Sequence, residues 1–336
     1  MDIMHSLMQG FATCLTPFNL SMAMVGCFFG SVVGILPGLG PTATIAMLLP
    51  LTFGMDATPA MIMLTSIYYG SKYGGSTTSI LLNLPGEGAS VVTCLDGYAM
   101  ARQGRAGPAM AVAAIGSFVA GMFALLMLII VAKPLAEVAL RFGPPEYFSL
   151  VVLGLAAITG LAGKSMPKAL IMLVAGLLIS TIGIDTVSGS ARFTFGIPLL
   201  YQGLEFITIA VGMFALGEVF TTIIKGDVAV QEFAKIGRIM PTRQDLRDSI
   251  LPILRGSVMG FFIGVLPGAG PTLSSFISYT MEKRLSKTPE RFGKGAIEGL
   301  AGPESANNAA AGGAMIPLLA LGIPSSATTA VLMGAF

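Results

Sequence analysis

A nine-residue stretch, Gly34-Ile35-Leu36-Pro37-Gly38-Leu39-Gly40-Pro41-Thr42, returns in the second half of the chain as Gly264-Val265-Leu266-Pro267-Gly268-Ala269-Gly270-Pro271-Thr272. Seven of the nine positions are identical, and Gly26 and Gly30 recur ahead of the second copy as Gly256 and Gly260. Agreement concentrated at Gly and Pro points to an internal duplication. Each copy is flanked by apolar segments. A helix entering it must stop at Pro37-Gly38, because proline lacks an amide donor and its ring obstructs the preceding turn. A new helix can start at Pro41, where the missing donor is one that the first turn leaves unpaired anyway. Each copy reads as two half-helices joined by bare backbone.

Composition decides the solvent around such a unit. The chain is 54% apolar and only 11% charged, far short of the charged surface a soluble protein of 336 residues carries. This predicts an all-α polytopic membrane protein in contact with a lipid bilayer. The net charge of +2 implies no nucleic-acid partner. Cys14, Cys27 and Cys94 lie apart in apolar surroundings and form no metal or disulfide pattern, and His5 is the single histidine. No cofactor and no structural metal are expected. The first twenty residues lack the basic start of a cleavable signal peptide.

Residues 1–19 read as an N-terminal interfacial segment with a break at Pro17. The first repeat is placed at 20–224: a broken hairpin at 20–53, a helix at 57–100 interrupted by polar residues, and spans near 108–132, 147–163, 169–184 and 203–224. A polar linker follows at 225–249, carrying Lys225, Lys235, Arg238, Arg243 and Arg247. The second repeat occupies 250–336, with its broken unit at 250–282. It stops inside an apolar segment, as an incomplete repeat would. Basic residues flank the second broken unit on both sides, so the positive-inside rule brings both flanks to the cytoplasm. That makes it a re-entrant hairpin with its Pro-Gly-x-Gly-Pro stretch at the tip. An odd number of crossings between the two units gives them opposite orientation. This is the inverted-repeat plan of secondary carriers, in which irregular backbone is tolerated where it lines a cavity.

Two inverted tips meeting near the midplane offer free carbonyls at the end of one half-helix and free N–H groups at the start of the next, suited to a cation and a carboxylate respectively. Gly38, Gly40, Gly268 and Gly270 leave the backbone open, and Thr42 and Thr272 add hydroxyls. The plainer alternative is that these residues only permit close helix packing or a kink. A second polar constellation runs through Lys72, Ser76, Thr77, Thr78, Ser79 and Asn83, with a counterpart in Asn307, Asn308, Ser325 and Ser326; Gly74 to Pro85 and Gly313 to Pro324 have equal spacing. Such groups at broken helices bind ions and oxyanions, or serve as caps and interhelical glue. Lys72 at depth either meets a substrate carboxylate or snorkels. Glu87 and Glu304 read as helix-start caps, with Glu304 as a proton carrier if coupling is to H⁺. Pro37, Gly38, Ser79, Asn83, Pro267, Gly268 and Glu304 are the expected ion-coupling residues, and the carbonyl-and-hydroxyl chemistry favours Na⁺ over H⁺. Glu205 and Glu218 read as structural. Asp185 and Arg192, in the outer connection, either pair or touch a partner.

The two nine-residue copies, Tyr69-Gly70-Ser71-Lys72-Tyr73-Gly74-Gly75-Ser76, Leu84-Pro85-Gly86-Glu87, Arg192-Phe193-Thr194-Phe195-Gly196 and Gly302-Pro303-Glu304-Ser305-Ala306-Asn307-Asn308 together resemble the large membrane subunit (TctA family) of the tripartite tricarboxylate transporters. The resemblance runs from about residue 18 to the end of the sequence. It implies a multi-pass protein of the bacterial inner membrane importing citrate-like di- or tricarboxylates down an ion gradient. It also implies two partners: a small four-helix membrane subunit and a periplasmic solute-binding protein. Other classes fit less well. A channel would build its filter from one motif by oligomerisation rather than from an internal duplicate. An intramembrane enzyme would need a catalytic pair or zinc motif that the single histidine does not allow.

Overall fold

The computed structural model describes residues 3–36, 39–139, 143, 145–146, 148–149, 152, 166–185, 188–204, 237–266, 270–321 and 324–333. The expected spans at 147–163 and 203–224, most of the linker, Glu205 and Glu218, and Pro37, Gly38, Pro267 and Gly268 at the two tips lie wholly or largely outside these residues. What is described is helical apart from a two-residue hairpin pairing β1 (Gly183–Ile184) with β2 (Ala191–Arg192). The helices are α1 (Ile3–Cys14), α2 (Pro17–Gly34), α3 (Pro41–Leu48), α4 (Ala57–Leu82), α5 (Ala106–Ala139), α6 (Met166–Ser180), α7 (Arg243–Val265), α8 (Gly270–Leu285), α9 (Glu298–Leu321) and α10 (Ala327–Met333). Among the described residues, three helices are long and apolar enough to cross a membrane: α2, α7 and the stretch Ala101–Val131 that includes most of α5.

Local signals explain the helix limits. Thr16 caps α2 ahead of Pro17, and Thr242 caps α7 in a reciprocal box with Asp245. Pro41 opens α3. The helix α2 presents Phe18, Met24, Phe28 and Val32 outward, as lipid-facing surface allows. Outside the helices, Asp185 and Arg192 pair at 2.7 Å beside the short hairpin.

Two helix pairs carry the packing. Gly26, Gly30 and Gly34 of α2 lie against the backbone of Met63, Ile67 and Ser71 of α4; Gly256, Gly260 and Gly264 of α7 lie against Gly302, Ala306 and Ala310 of α9. Both pairs advance in four-residue steps, so each pair is parallel. A methyl group at Gly30 would sit 2.8 Å from the Ile67 Cα, and one at Gly260 would sit 2.6 Å from the Ala306 Cα. Hydrocarbon tails give apolar helices no solvent reason to associate, so close backbone approach through small residues supplies the contact instead. Gly74 on α4 and Gly313 on α9 hold matching stations, against Ser31 and Phe261 respectively.

The helix α8 returns along α7. Arg255 and Glu282 pair across them through two bonds of 2.8 and 2.5 Å. A forked guanidinium–carboxylate pair fixes this geometry more tightly than a single contact would. The helix α5 packs along α9 and α7, contributing the buried alanines Ala109, Ala113, Ala120 and Ala124.

One expectation is corrected. The polar stretches are not helix interruptions: α4 runs unbroken through Gly70–Ser79, and α9 runs unbroken through Gly302–Asn308. The glycines of α4 serve packing there: Gly70 and Gly74 face α2, and Gly75 faces Gly86. The hydroxyls of Thr77, Thr78 and Ser79 bond to carbonyls of Tyr73 and Gly75 one turn back, which helices tolerate. The break comes later, at Asn83, which ends α4 in the left-handed region at φ 58°. Glu304 accordingly lies within α9 rather than at a helix start.

Replacing Gly260 by Val forces a branched side chain into the Ala306 backbone. The detergent-solubilised full-length protein should lose about 1–3 kcal/mol or more, read as a fall in its melting temperature. Gly176→Ala, where a new methyl group meets nothing within 4 Å, should leave melting unchanged or slightly higher. Equal effects of the two would contradict the packing described.

Candidate functional site

The helices α4 and α9 cross in opposite directions. Lys72 meets Asn307, while Ser76, one turn later on α4, meets Glu304, one turn earlier on α9. The connection after α4 closes over this crossing. Leu84-Pro85-Gly86-Glu87 runs back past Gly75, whose backbone is packed against Gly86, and delivers Glu87 to Lys72. The short helical segment that follows brings Thr93 to Glu304.

The result is a buried polar cluster of six side chains. The Lys72 Nζ donates to the Asn307 Oδ1 at 2.5 Å and to both Glu87 oxygens at 3.3 and 3.4 Å. The Asn307 Nδ2 donates to the Glu87 Oε1 at 3.1 Å, closing a triangle. The Ser76 Oγ donates to the Glu304 carboxylate at 2.8 and 3.0 Å, and the Thr93 Oγ1 donates to its Oε1. The ring of Tyr68 lies beneath the ammonium, 5.1 Å from Nζ to centroid. Lys72, Ser76, Thr93, Glu304 and Asn307 are each 1% exposed.

Charges removed from water this far persist only when paired and hydrogen-bonded. Lys72 and Glu87 are so paired. Glu304 is a second carboxylate held chiefly by hydroxyl donors, an arrangement equally able to bind a proton or a small cation. The cluster thus combines a buried cation paired with Glu87 and a separate buried carboxylate, Glu304, held by hydroxyls.

Of the residues predicted from sequence, Lys72, Ser76, Asn307 and Glu304 meet in this cluster. Others do not. Thr77, Thr78 and Ser79 bond within their own helix, and Asn83 is the C-cap of α4. Asn308 turns away to tie α9 to α5 through the Ser117 Oγ at 2.8 Å. Ser326 caps α10 by exchanging bonds with Thr329, and Ser325 donates to the Ala314 carbonyl at 3.2 Å. Gly40 is the N-cap of α3, and Thr42 bonds the Thr328 hydroxyl of α10 at 2.7 Å. Gly270 starts α8 at φ 59°, with Thr272 half-buried in its first turn. The ends of α2 and α7, ahead of those tips, come close to the cluster. Gly34, at the end of α2, touches Ser71; Gly264, at the end of α7, touches Ala310. Each contact lies within a turn of the Lys72–Asn307 bond.

Glu87 and Thr93 were not singled out as site residues from sequence. The signal was there for Glu87 alone: an acid following Pro-Gly in an apolar region, with no caption but a cap. Its side chain goes to Lys72, while its backbone N–H donates to the Ser90 Oγ. Asp96 was missed as well. It is fully buried and accepts from the backbone N–H groups of Gly293, Gly295 and Ala296 at 2.9, 2.7 and 2.7 Å, and from the Tyr279 hydroxyl at 2.8 Å. It pins the basic loop after α8 to the segment after α4. Nearby, a cavity of about 520 Å³ opens between α7 and α8, lined by Arg247, Arg255, Lys287 and Arg291 among others.

Breaking the buried pair tests this account of the site. Lys72→Met should destabilise the protein by about 3–5 kcal/mol, because Glu87 is left charged and unpaired. Lys72→Met/Glu87→Met, which removes both charges, should cost less than the single change. Melting temperatures of the three proteins decide it, and simple additivity would contradict the pairing.

The family model described as "Tripartite tricarboxylate transporter TctA family" matches residues 20–336. An Agrobacterium vitis protein described as "Uncharacterized 52.8 kDa protein in TAR-I ttuC' 3'region" is 53% identical over 336 residues, covering all of this chain and 67% of that protein. A second Agrobacterium vitis protein, "Uncharacterized protein in TAR-II ttuC' 3'region", is 62% identical over 77 residues, covering 23% of this chain and 32% of that protein. No solved structure matches. The chain thus spans about two thirds of the first relative and under a third of its own length matches the second. A match over nearly the whole length places it without ambiguity: the chain belongs to the TctA family, a component of tripartite tricarboxylate transporters.

Proposed function

We propose that this chain is the carrier part of a binding-protein-dependent secondary transporter, moving citrate-like di- or tricarboxylates across the bacterial inner membrane by alternating access. The observation that carries this reading is the buried Lys72 at the α4–α9 crossing. A cation held far from water where two long helices cross is what recognition of an organic anion at mid-depth needs. In this reading Lys72, Asn307 and Ser76 face the substrate, and the tips at Gly38–Gly40 and Gly268–Gly270 complete the site.

The inverted-repeat plan supports alternating access. The pairs α2–α4 and α7–α9 use corresponding glycines, yet α4 and α9 run oppositely where they meet. The return helix α3 packs against α10, just as α8 packs against the segment 88–90. These are the relations that a pseudo-twofold axis in the membrane plane would generate. Gly74 to Pro85 and Gly313 to Pro324 fit the same correspondence.

Na⁺ is the favoured coupling ion, from the carbonyls that a half-helix stopped by a Pro-Gly pair is expected to leave free. Proton coupling is the second reading, favoured by Glu304 in its cradle of hydroxyls. The family's tripartite organisation implies further subunits; we assign these as a small four-helix membrane subunit and a periplasmic solute-binding protein. The basic ends of α7 and α8 then face the cytoplasm.

The full-length protein, reconstituted in proteoliposomes with both partners, should take up radiolabelled citrate or a related acid saturably and only with an inward ion gradient. Asn307→Ala should lower uptake by about tenfold to a hundredfold, the scale of losing a hydrogen bond to a charged group. Uptake driven by a Na⁺ gradient at equal pH selects Na⁺; uptake driven only by a pH gradient and lost in Glu304→Gln selects the proton. Unsaturable flux without any gradient would contradict the carrier reading.

A further inference from the structure

A carrier that binds an anion through a buried lysine faces a difficulty on its return journey. With substrate released, the ammonium is left without a counter-charge in a water-poor interior, and an unpaired buried charge is strongly destabilising. Resting on the reading that Lys72 receives the substrate carboxylate, we propose that Glu87 is the internal stand-in for that carboxylate. It holds the Lys72 charge whenever substrate does not, and thereby lets the empty carrier reorient.

Three features of the site point to Glu87 in this part. First, both of its oxygens face the Lys72 Nζ, at 3.3 and 3.4 Å. These are longer than the roughly 2.7–2.9 Å of a tight charge-assisted bond, so the pair satisfies the charge without locking it. Second, Asn307 bridges the two, accepting from Lys72 at 2.5 Å and donating to Glu87 at 3.1 Å. An incoming carboxylate at the Glu87 position would find the same two donors, one cationic and one amide, already aligned. Third, Glu87 is not part of the long helices. It stands on the connection after α4, between the left-handed Asn83 and Ser90. It can therefore be displaced without disturbing the α4–α9 crossing. Glu304 is unsuited to the same part, because Ser76 and Thr93 already orient it.

The exchange is balanced in charge. When the substrate carboxylate pairs with Lys72, the Glu87 carboxylate is released to water or to a coupling cation; when substrate leaves, Glu87 returns. No bond is made or broken. The proposal separates two half-cycles that other roles would affect together. Substrate-for-substrate exchange needs only the loaded carrier to reorient, whereas net uptake also needs the empty one.

The test uses the full-length transporter with its partners in proteoliposomes, measuring net uptake and counterflow exchange of one labelled tricarboxylate. Glu87→Gln should lower net uptake about tenfold or more relative to exchange, which should persist. Loss of both in equal measure by protein that still folds and inserts would overturn the proposal, as would retention of both. Should Glu87→Gln fail to fold, Glu87→Asp carries the test. The carboxylate is kept but withdrawn by one methylene from Lys72, so the ratio of net uptake to exchange should fall in the same sense, and an unchanged ratio overturns the idea. Lys72→Gln is assayed alongside. If exchange is unimpaired in that variant, the assignment of the substrate site itself fails. If exchange is lost there while the Glu87 ratio is normal, only the stand-in role fails.

Discussion

The structure turns on one buried charge. Lys72 lies at 1% exposure in a chain with few charges to spare, and everything around it serves to keep an ammonium out of water. Glu87 supplies the counter-charge, Asn307 the bridging amide, and Tyr68 an aromatic face. Each comes from a different register of the fold, so the charge can be held only if α4, α9 and the turn after α4 are placed together. In a low-dielectric interior, removing any one partner leaves the others exposed to the full desolvation penalty. That coupling makes the crossing a structural keystone.

The glycine contacts make the crossing geometrically available. Two parallel helix pairs approach to backbone distance through glycines spaced four apart, one pair in each half of the chain. Each pair ends beside a Pro-Gly stretch, and each sets its inner helix against the other half. Ion pairs reinforce the arrangement away from the centre. Arg255–Glu282 holds the second hairpin together, Arg105–Asp245 at 2.5 Å ties the start of α5 to α7, and Asp96 anchors the loop that follows α8. Arg255–Glu282 thus lies within the second repeat, whereas Arg105–Asp245 and Asp96 tie the first repeat to the second.

Much of this was legible in the sequence because it depended on local chemistry. Proline and glycine marked where α2 and α7 end, and the apolar content fixed the class. Four members of the polar cluster were also found by residue type: Lys72, Ser76, Asn307 and Glu304. What escaped was decided by tertiary contact. The run Ser76–Ser79 reads as a helix break only if its hydroxyls lack partners; back-bonding to Tyr73 and Gly75 removed that need for Thr77, Thr78 and Ser79. Asn83 looked like a ligand and is a cap, because the left-handed conformation at a helix end favours asparagine. Thr93 and Asp96 could not be ranked from sequence, since their partners lie 211 residues away for Thr93 and up to 200 for Asp96.

The central claim is that the Lys72–Glu304 crossing is a site opened in turn to the two sides of the membrane. Thiol accessibility tests it most directly. With Cys14, Cys27 and Cys94 replaced, Ser76→Cys is exposed to a membrane-impermeant maleimide from either face of oriented vesicles containing the full-length protein and its partners. The account predicts labelling from each side, suppressed by a bound tricarboxylate, with the accessible side shifting as the ion gradient is reversed. A thiol that no reagent reaches from either face, with transport intact, would contradict it.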